Sequence, residues 1–192
     1  MKIAVVSDTH GYFDPHLSLL LRGVDEIFHA GDVGSGQVLE QFRAIAQVHA
    51  VRGNVDTVAL ALAPTLTREV GSVAIHMLHE LPRPQSVLRD WAQLNPLEGK
   101  HAEHCRRFLS TFPEECRVVI FGHSHEPCAL VVGGRFFFNP GSAGKRRFSL
   151  PRCFGILEVT EHDMRATFVS LDRYNEGIPE GVNLPIGGAS AW

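Results

Sequence analysis

Seven residues of this chain have the types and the placement to hold divalent cations: Asp8, His10, Asp32, Asn54, His79, His123 and His125. They occur as Asp8-Thr9-His10, Gly31-Asp32, Gly53-Asn54, His79 and Gly122-His123-Ser124-His125, each group following a short apolar run. Neutral imidazole and carboxylate suit Mn²⁺, Fe, Zn²⁺ or Ni²⁺, and no cysteine falls at these positions. A carboxylate can bridge two ions, and Asp32 is central in the order. Two aspartates against two divalent ions leave the site net positive, which suits an anionic phosphate. Two such ions, roughly 3.5–4 Å apart, lower the pKa of a bridging water and clamp both the attacking and the leaving oxygen. Each motif alone is weak, because Asp caps turns, Gly-Asp and Gly-Asn are ordinary turns, and a strand-end His is usually a packing residue. Five of them in order, each with the right donor type, carry the assignment. The glycines before Asp32, Asn54 and His123 leave room for tight turns and close backbone approach.

The elements that must position these groups follow from periodicity. Residues 2–7 read as a buried strand, Asp14-Pro15 as a helix cap, 16–22 as a helix and Gly23 as its stop. A strand over 26–30, a helix over 37–46 with Val38, Leu39, Phe42 and Ile45 on one face, and a strand over 48–51 complete a β-α-β-α-β unit. That order implies a parallel sheet with right-handed crossovers. The carboxyl ends of parallel strands share one edge, so residues scattered in sequence converge there. Residues 66–70 and 73–79 read as a hairpin. Residues 81–99 are proline-rich and are expected to form a lid or rim over the site. A helix over 100–112 precedes a strand over 117–121. The remainder is β-rich, with strands at 128–132 and 135–138 joined by Gly133-Gly134, then 154–160 and 165–171.

With 192 residues the chain suits a single domain, expected over 1–174, with 175–192 as a Gly/Pro-rich tail. The formal charge of −3 argues against a nucleic-acid surface. The amino terminus turns polar too early for a signal peptide, and no apolar run reaches membrane-spanning length. Cys105, Cys116, Cys128 and Cys153 show no C-x-x-C pairing and read as reduced thiols, so a cytoplasmic location is expected.

On its five motifs and on Asn139-Pro140-Gly141-Ser142, the sequence resembles the calcineurin-like metallophosphoesterase superfamily, in particular its small prokaryotic phosphodiesterase branch. The match runs from residue 1 to about 171. The resemblance implies an α/β fold, a four-layer α-β-β-α sandwich of two mixed sheets flanked by helices. It implies Asp8, His10, Asp32 and His125 around one ion, and Asp32, Asn54, His79 and His123 around a second. Asp32, Asn54 and His123 are the expected catalytic positions. A metal-bridging hydroxide would attack phosphorus in line. Mn²⁺ is the ion expected, with Fe, Zn²⁺ and Ni²⁺ as alternatives. Two departures from the family pattern stand out. Val55 replaces a His that follows the Asn in many members and is thought to protonate the leaving group, which favours substrates with good leaving groups. Glu80 replaces a Gly after His79, either as a partner of that ligand or as an obstacle in the pocket.

Other polar residues have plainer readings. His76 is expected to pack, facing away from His79. His29 belongs to the layer below Asp32, and His101 with His104 to a solvated helix face. Arg52, Arg83, Arg146 and Arg147 could contact a substrate phosphate, with a surface role as the default. Phe136, Phe137 and Phe138 read as a strand buried on both faces. Asn139 to Ser142 either shape the sheet edge beside the site or form a plain loop.

The leading expectation is a metal-dependent phosphodiesterase acting on a small phosphate ester, without nucleic-acid or membrane partners and with homo-oligomerisation open. A phosphomonoesterase, a nuclease and a non-catalytic scaffold are the alternatives. The metallophosphoesterase-like subunit of the retromer coat shows that such a fold can serve as a protein-binding module. The full ligand set here favours an enzyme. The substrate-selecting rim is expected from 81–99 and 145–152.

Overall fold

A computed structural model describes residues 1–94, 97–147, 149–172 and 177–186, with Lys100 described by its backbone. Two mixed sheets form the centre. In the first, β1 (Lys2–Val6), β2 (Glu26–His29) and β3 (Gln47–Ala50) run parallel, and β9 (Cys153–Val159), β10 (Asp163–Ser170) and β11 (Val182–Pro185) add antiparallel on the far side of β1. The second sheet holds β4 (Thr65–Val70), β5 (Val73–Leu78), β6 (Cys116–Ile120), β7 (Cys128–Val132) and β8 (Arg135–Asn139). Its order is β4-β5-β6-β8-β7, with β5, β6 and β8 parallel.

Alternation along each strand assigns its side chains to layers. Ile3 and Val5 of β1 meet Ile75, Met77, Ile120, Phe136 and Phe138 between the sheets. Ala4 and Val6 face outward, under Leu17 of α1 (Leu17–Leu20) and Val38, Leu39 and Phe42 of α2 (Gly36–Arg43). Val119 and Phe137 of the second sheet face Leu88 and Trp91 of α3 (Gln85–Gln93) and Cys105 and Phe108 of α4 (Ala102–Leu109). The result is the expected four-layer α-β-β-α sandwich. It explains the near-continuous apolar strands, since both faces of each central strand are covered. Phe136, Phe137 and Phe138 are all fully buried, and truncating one of these rings to Ala would cost about 3–5 kcal/mol.

Two regions differ from the sequence reading. Residues 81–99 contain α3, whose buried Leu88 and Trp91 seal the outer face of the second sheet, so only the start of this stretch lies at the site. Its prolines hid the helix: Pro84 sits at the cap with φ −57° and ψ 143°, where a missing N–H costs nothing. In the stretch read as a tail, Val182–Pro185 pairs with β10 and Leu184 is buried, which covers that sheet edge. Residues 175–176 and 187–192 of that stretch lie outside the described residues. The first helix is shorter than 16–22, and no described helix is long and apolar enough to cross a membrane.

Candidate metal centre

The motif residues lie just past the carboxyl ends of β1, β2, β3, β5 and β6, where the edges of the two sheets meet. There the chain must turn sharply while aiming polar side chains inward. Asp8, His10, Asp32, His123 and His125 all have left-handed backbones, with φ between 49° and 68°. Among the described residues Ala61 is the one other non-glycine residue with positive φ. Such conformations cost of order 1–3 kcal/mol each and persist only where the surroundings enforce them. The enforcement is visible as cross-links between the turns. The Asp8 N–H donates to Gly31 O (3.0 Å), that of His10 to Asp32 O (2.9 Å) and that of Gly122 to His79 O (2.9 Å). The motif glycines allow the closeness. A Cβ on Gly53 would collide with the Asp32 backbone N and Oδ1, and one on Gly122 would strike Ser7 Oγ and stand 2.8 Å from Asp8 Oδ2.

The seven predicted ligands come together in two adjoining groups. In one, His10 Nε2 and His125 Nε2 are 3.1 Å apart and Asp8 Oδ1 is 3.2 Å from His125 Nε2. In the other, His79 Nε2 is 3.0 Å from Asn54 Oδ1 and 3.3 Å from Asp32 Oδ1, and His123 Nδ1 is 3.1 Å from the same Asn54 oxygen. Asp32 faces both groups, because its Oδ2 is 3.8 Å from His10 Nε2 while its Oδ1 faces His79. Asp8 also stands with both: its ligand atom clusters within 4.8 Å of those of His10 and His125, and likewise of Asp32 and His79.

These residues fit divalent cations on their own chemistry. Asp8 Oδ1 is buried without a hydrogen-bond partner, a costly state for an anionic oxygen unless a cation meets it. His79 Nδ1 is 2.8 Å from Ala30 O, which fixes the proton on Nδ1 in the neutral ring and turns the Nε2 lone pair into the cluster. Burial opposes charge on His79, yet the hydrogen bond its ring gives to the Asp32 carboxylate and the charge of Asp8 outweigh it and raise its pKa. The paired carboxylates thus draw positive charge to this point. Burial likewise opposes charge on Asp32, but His79 and the Val55 N–H (3.0 Å) hold its carboxyl down at about 2. His10 goes the other way: burial, then the charge of Arg147, lower its pKa and keep it neutral, as a ligand must be.

A supporting network lies behind the Gly122-to-His125 turn. Asn139 is fully buried at the end of β8; its Nδ2 donates to Gly122 O (3.0 Å), Ser124 Oγ (2.9 Å) and Gln85 Oε1 (3.2 Å), and its Oδ1 accepts from Gly141 N–H (2.9 Å). Ser142 Oγ donates to Asp8 O (3.0 Å). The Asn139-to-Ser142 run therefore braces two of the ligand turns. Gln85 escaped the sequence reading, because nothing local marks a lone Gln at the start of a helix as a partner of residue 124.

The remaining candidates separate cleanly. His29 is buried with Nε2 2.9 Å from Thr9 Oγ1, below the centre rather than in it, and burial pushes its pKa down to about 4. His76 packs against Phe112 and pairs with Thr67. His101 and His104 line a cavity of about 590 Å³ with Arg83 and Trp91 in the helical layer, instead of a plain solvated face. Glu80 Oε1 is 3.6 Å from His123 Nε2, and the Glu80-to-Gln85 segment borders a cleft of about 380 Å³ beside His123. Val55 is half-exposed next to Asn54. Arg146 pairs with Asp172, and Arg52 is exposed.

With this geometry in view, the sequence pattern of the calcineurin-like phosphoesterase superfamily domain matches residues 1–162. A protein of Methanocaldococcus jannaschii named "Probable metallophosphoesterase" is 30% identical over 159 residues, covering 80% of this chain and 71% of the relative. Vps29 of Chaetomium thermophilum superposes with a TM-score of 0.69 at 20% identity, over 97% of each chain. Yfce, a phosphoesterase from E. coli, gives 0.63 at 22% identity, over 95% of this chain and 98% of its own.

Proposed function

We propose, from the premise that this chain belongs to the calcineurin-like phosphoesterase superfamily, that it is a phosphodiesterase working with two divalent ions at the centre described above. Asp8, His10, Asp32 and His125 would hold one ion, and Asp32, Asn54, His79 and His123 the other. The observation that carries this reading is the pairing of Asp32, one oxygen toward His10 and one toward His79, with the orphaned Asp8 Oδ1 beside it. Bound ions would lower the pKa of a coordinated water and neutralise charge on the phosphoryl oxygens.

The chain's own groups then set the preference. His10 is held neutral and His79 is turned by Ala30 O, so both present lone pairs to the centre. Val55 supplies no proton to a leaving group, so good leaving groups react fastest. Glu80 repels the second negative charge of a monoester, which favours a diester. Mn²⁺ is our first choice of ion, since the O/N ligand set suits it.

A second reading, a non-catalytic interaction module, draws support from the likeness to Vps29, which is one of fold. Hydrolysis of bis(p-nitrophenyl) phosphate by the full chain separates the two. The proposal expects turnover with Mn²⁺ that is abolished by chelator and by His123→Ala. A protein that retains bound metal by elemental analysis yet turns over nothing with Mn²⁺, Fe²⁺, Zn²⁺ or Ni²⁺ would leave the module reading standing.

A further inference from the structure

Among the described residues of the 144–152 segment, those at its start run beside the Asp8-to-His10 turn. Gly144 lies against the first ligand turn: a Cβ there would collide with Asp8 O and stand 2.9 Å from Thr9 O. The segment is anchored by Arg152, whose Nε donates to Gly144 O (2.8 Å) and whose guanidinium also binds Asp14. Four cations lie on it: Lys145, Arg146, Arg147 and Arg152. Arg146 and Arg152 are neutralised, by Asp172 and by Asp14. Lys145 and Arg147 are exposed and have no carboxylate partner among the described residues. Lys145 directly follows Gly144, and its Nζ stands 5.6 Å from the ring of Tyr12, two residues after His10; Arg147 is exposed three residues past the same glycine. The opposite flank carries the reverse sign, with Glu80 Oε1 3.6 Å from His123 Nε2.

A substrate held at the ions thus meets positive charge on one side and negative on the other. We propose that Lys145 and Arg147 form an anion subsite that takes a second phosphate of the substrate, so the preferred substrate is a phosphodiester bearing a further phosphate group. This rests on the phosphodiesterase reading above. Glu80 makes the orientation one-way, because the second phosphate is repelled from the His123 side. The backbone that carries the two cations is tied to the ligand turn at Gly144, whose carbonyl Arg152 Nε holds.

The test compares two esters that differ by one phosphate: thymidine 5′-(p-nitrophenyl phosphate) and the same compound phosphorylated at the 3′ oxygen. For the full chain with Mn²⁺, kcat/KM should favour the 3′-phosphorylated ester about 10-fold, the scale of two exposed charge pairs. The preference should shrink as salt rises and fall toward 1 in Lys145→Ala/Arg147→Ala. Equal kcat/KM values in the wild type, or a preference that survives the double substitution, would overturn the subsite. If neither ester is hydrolysed, the phosphodiesterase reading fails, and binding decides the subsite alone. Thymidine 3′,5′-bisphosphate must then bind the Mn²⁺-loaded chain about 10-fold tighter than thymidine 5′-phosphate by calorimetry. That margin must vanish in the double variant, and equal affinities refute it.

Discussion

Replacing Asn139 by Ala should loosen the metal centre from behind without touching a ligand. Its Nδ2 holds Gly122 O and Ser124 Oγ, and its Oδ1 holds Gly141 N–H. Gly122 O retains the Ser124 N–H (2.8 Å), so it is only partly deprived, whereas Gly141 N–H loses the partner that Asn139 gives it. At about 1–3 kcal/mol for each buried group left unpaired, the loss comes to about 2–4 kcal/mol. For a chain of this size that lowers Tm by roughly 5–15 °C. His123 and His125 flank Ser124 in left-handed conformations enforced by this network, so divalent-metal affinity should fall by about 10–100-fold as well. Asn139→Asp should be no better: it keeps the acceptor for Gly141 but sets a carboxylate against Gly122 O and Gln85 Oε1. Thermal melts in chelator measure the first effect and Mn²⁺ titration by calorimetry the second. A variant that melts within about 2 °C of wild type and binds Mn²⁺ equally well would refute the view that this network holds the ligand turn.

Other expectations follow from single groups. His29 has a folded pKa of about 4 against 6.5 when unfolded, so the unfolded chain binds the extra proton between those values. Stability is therefore full above pH 6.5 and falls as pH drops toward 4, by about 3 kcal/mol from this residue; urea unfolding in chelator at a series of pH values should show that slope, and His29→Leu should flatten it. Gly53→Ala forces a Cβ into Asp32, so it should abolish metal binding or cost more than about 3 kcal/mol; calorimetry and denaturant melts report which. All four cysteines are buried, and the thiols of Cys128 and Cys153 are pushed up to about 12. A thiol reagent such as DTNB should label none in the native protein and all four after denaturation.

The strands and the convergence of the candidate ligands at their ends were legible because both are written locally. Apolar, β-branched runs that end in Asp, Asn or His mark the strands and place those residues at their carboxyl ends, and β1, β2, β3, β5 and β6 all follow that rule. The hairpins at Gly71-Ser72 and Gly133-Gly134 were equally local. Helix α3 was hidden because proline at a cap and proline in a loop look alike in one dimension. β11 was hidden because an edge strand needs only one buried residue, Leu184, to pair.

Sequence alone determined which side chains can bind cations and that they must share one edge of the fold, since residue type and strand polarity are local properties. Tertiary structure decided what those side chains are held against. It brought Asn139 and Gln85 behind residues 122–125, set Glu80 beside His123, and turned Asp32 so that each oxygen faces a different histidine. It also paired Arg146 and Arg152 with Asp172 and Asp14 while leaving Lys145 and Arg147 free of carboxylates among the described residues. Those outcomes depend on contacts between residues fifteen or more positions apart. Such contacts follow from how the two sheets and their loops pack, and nothing in the local order of residues encodes them.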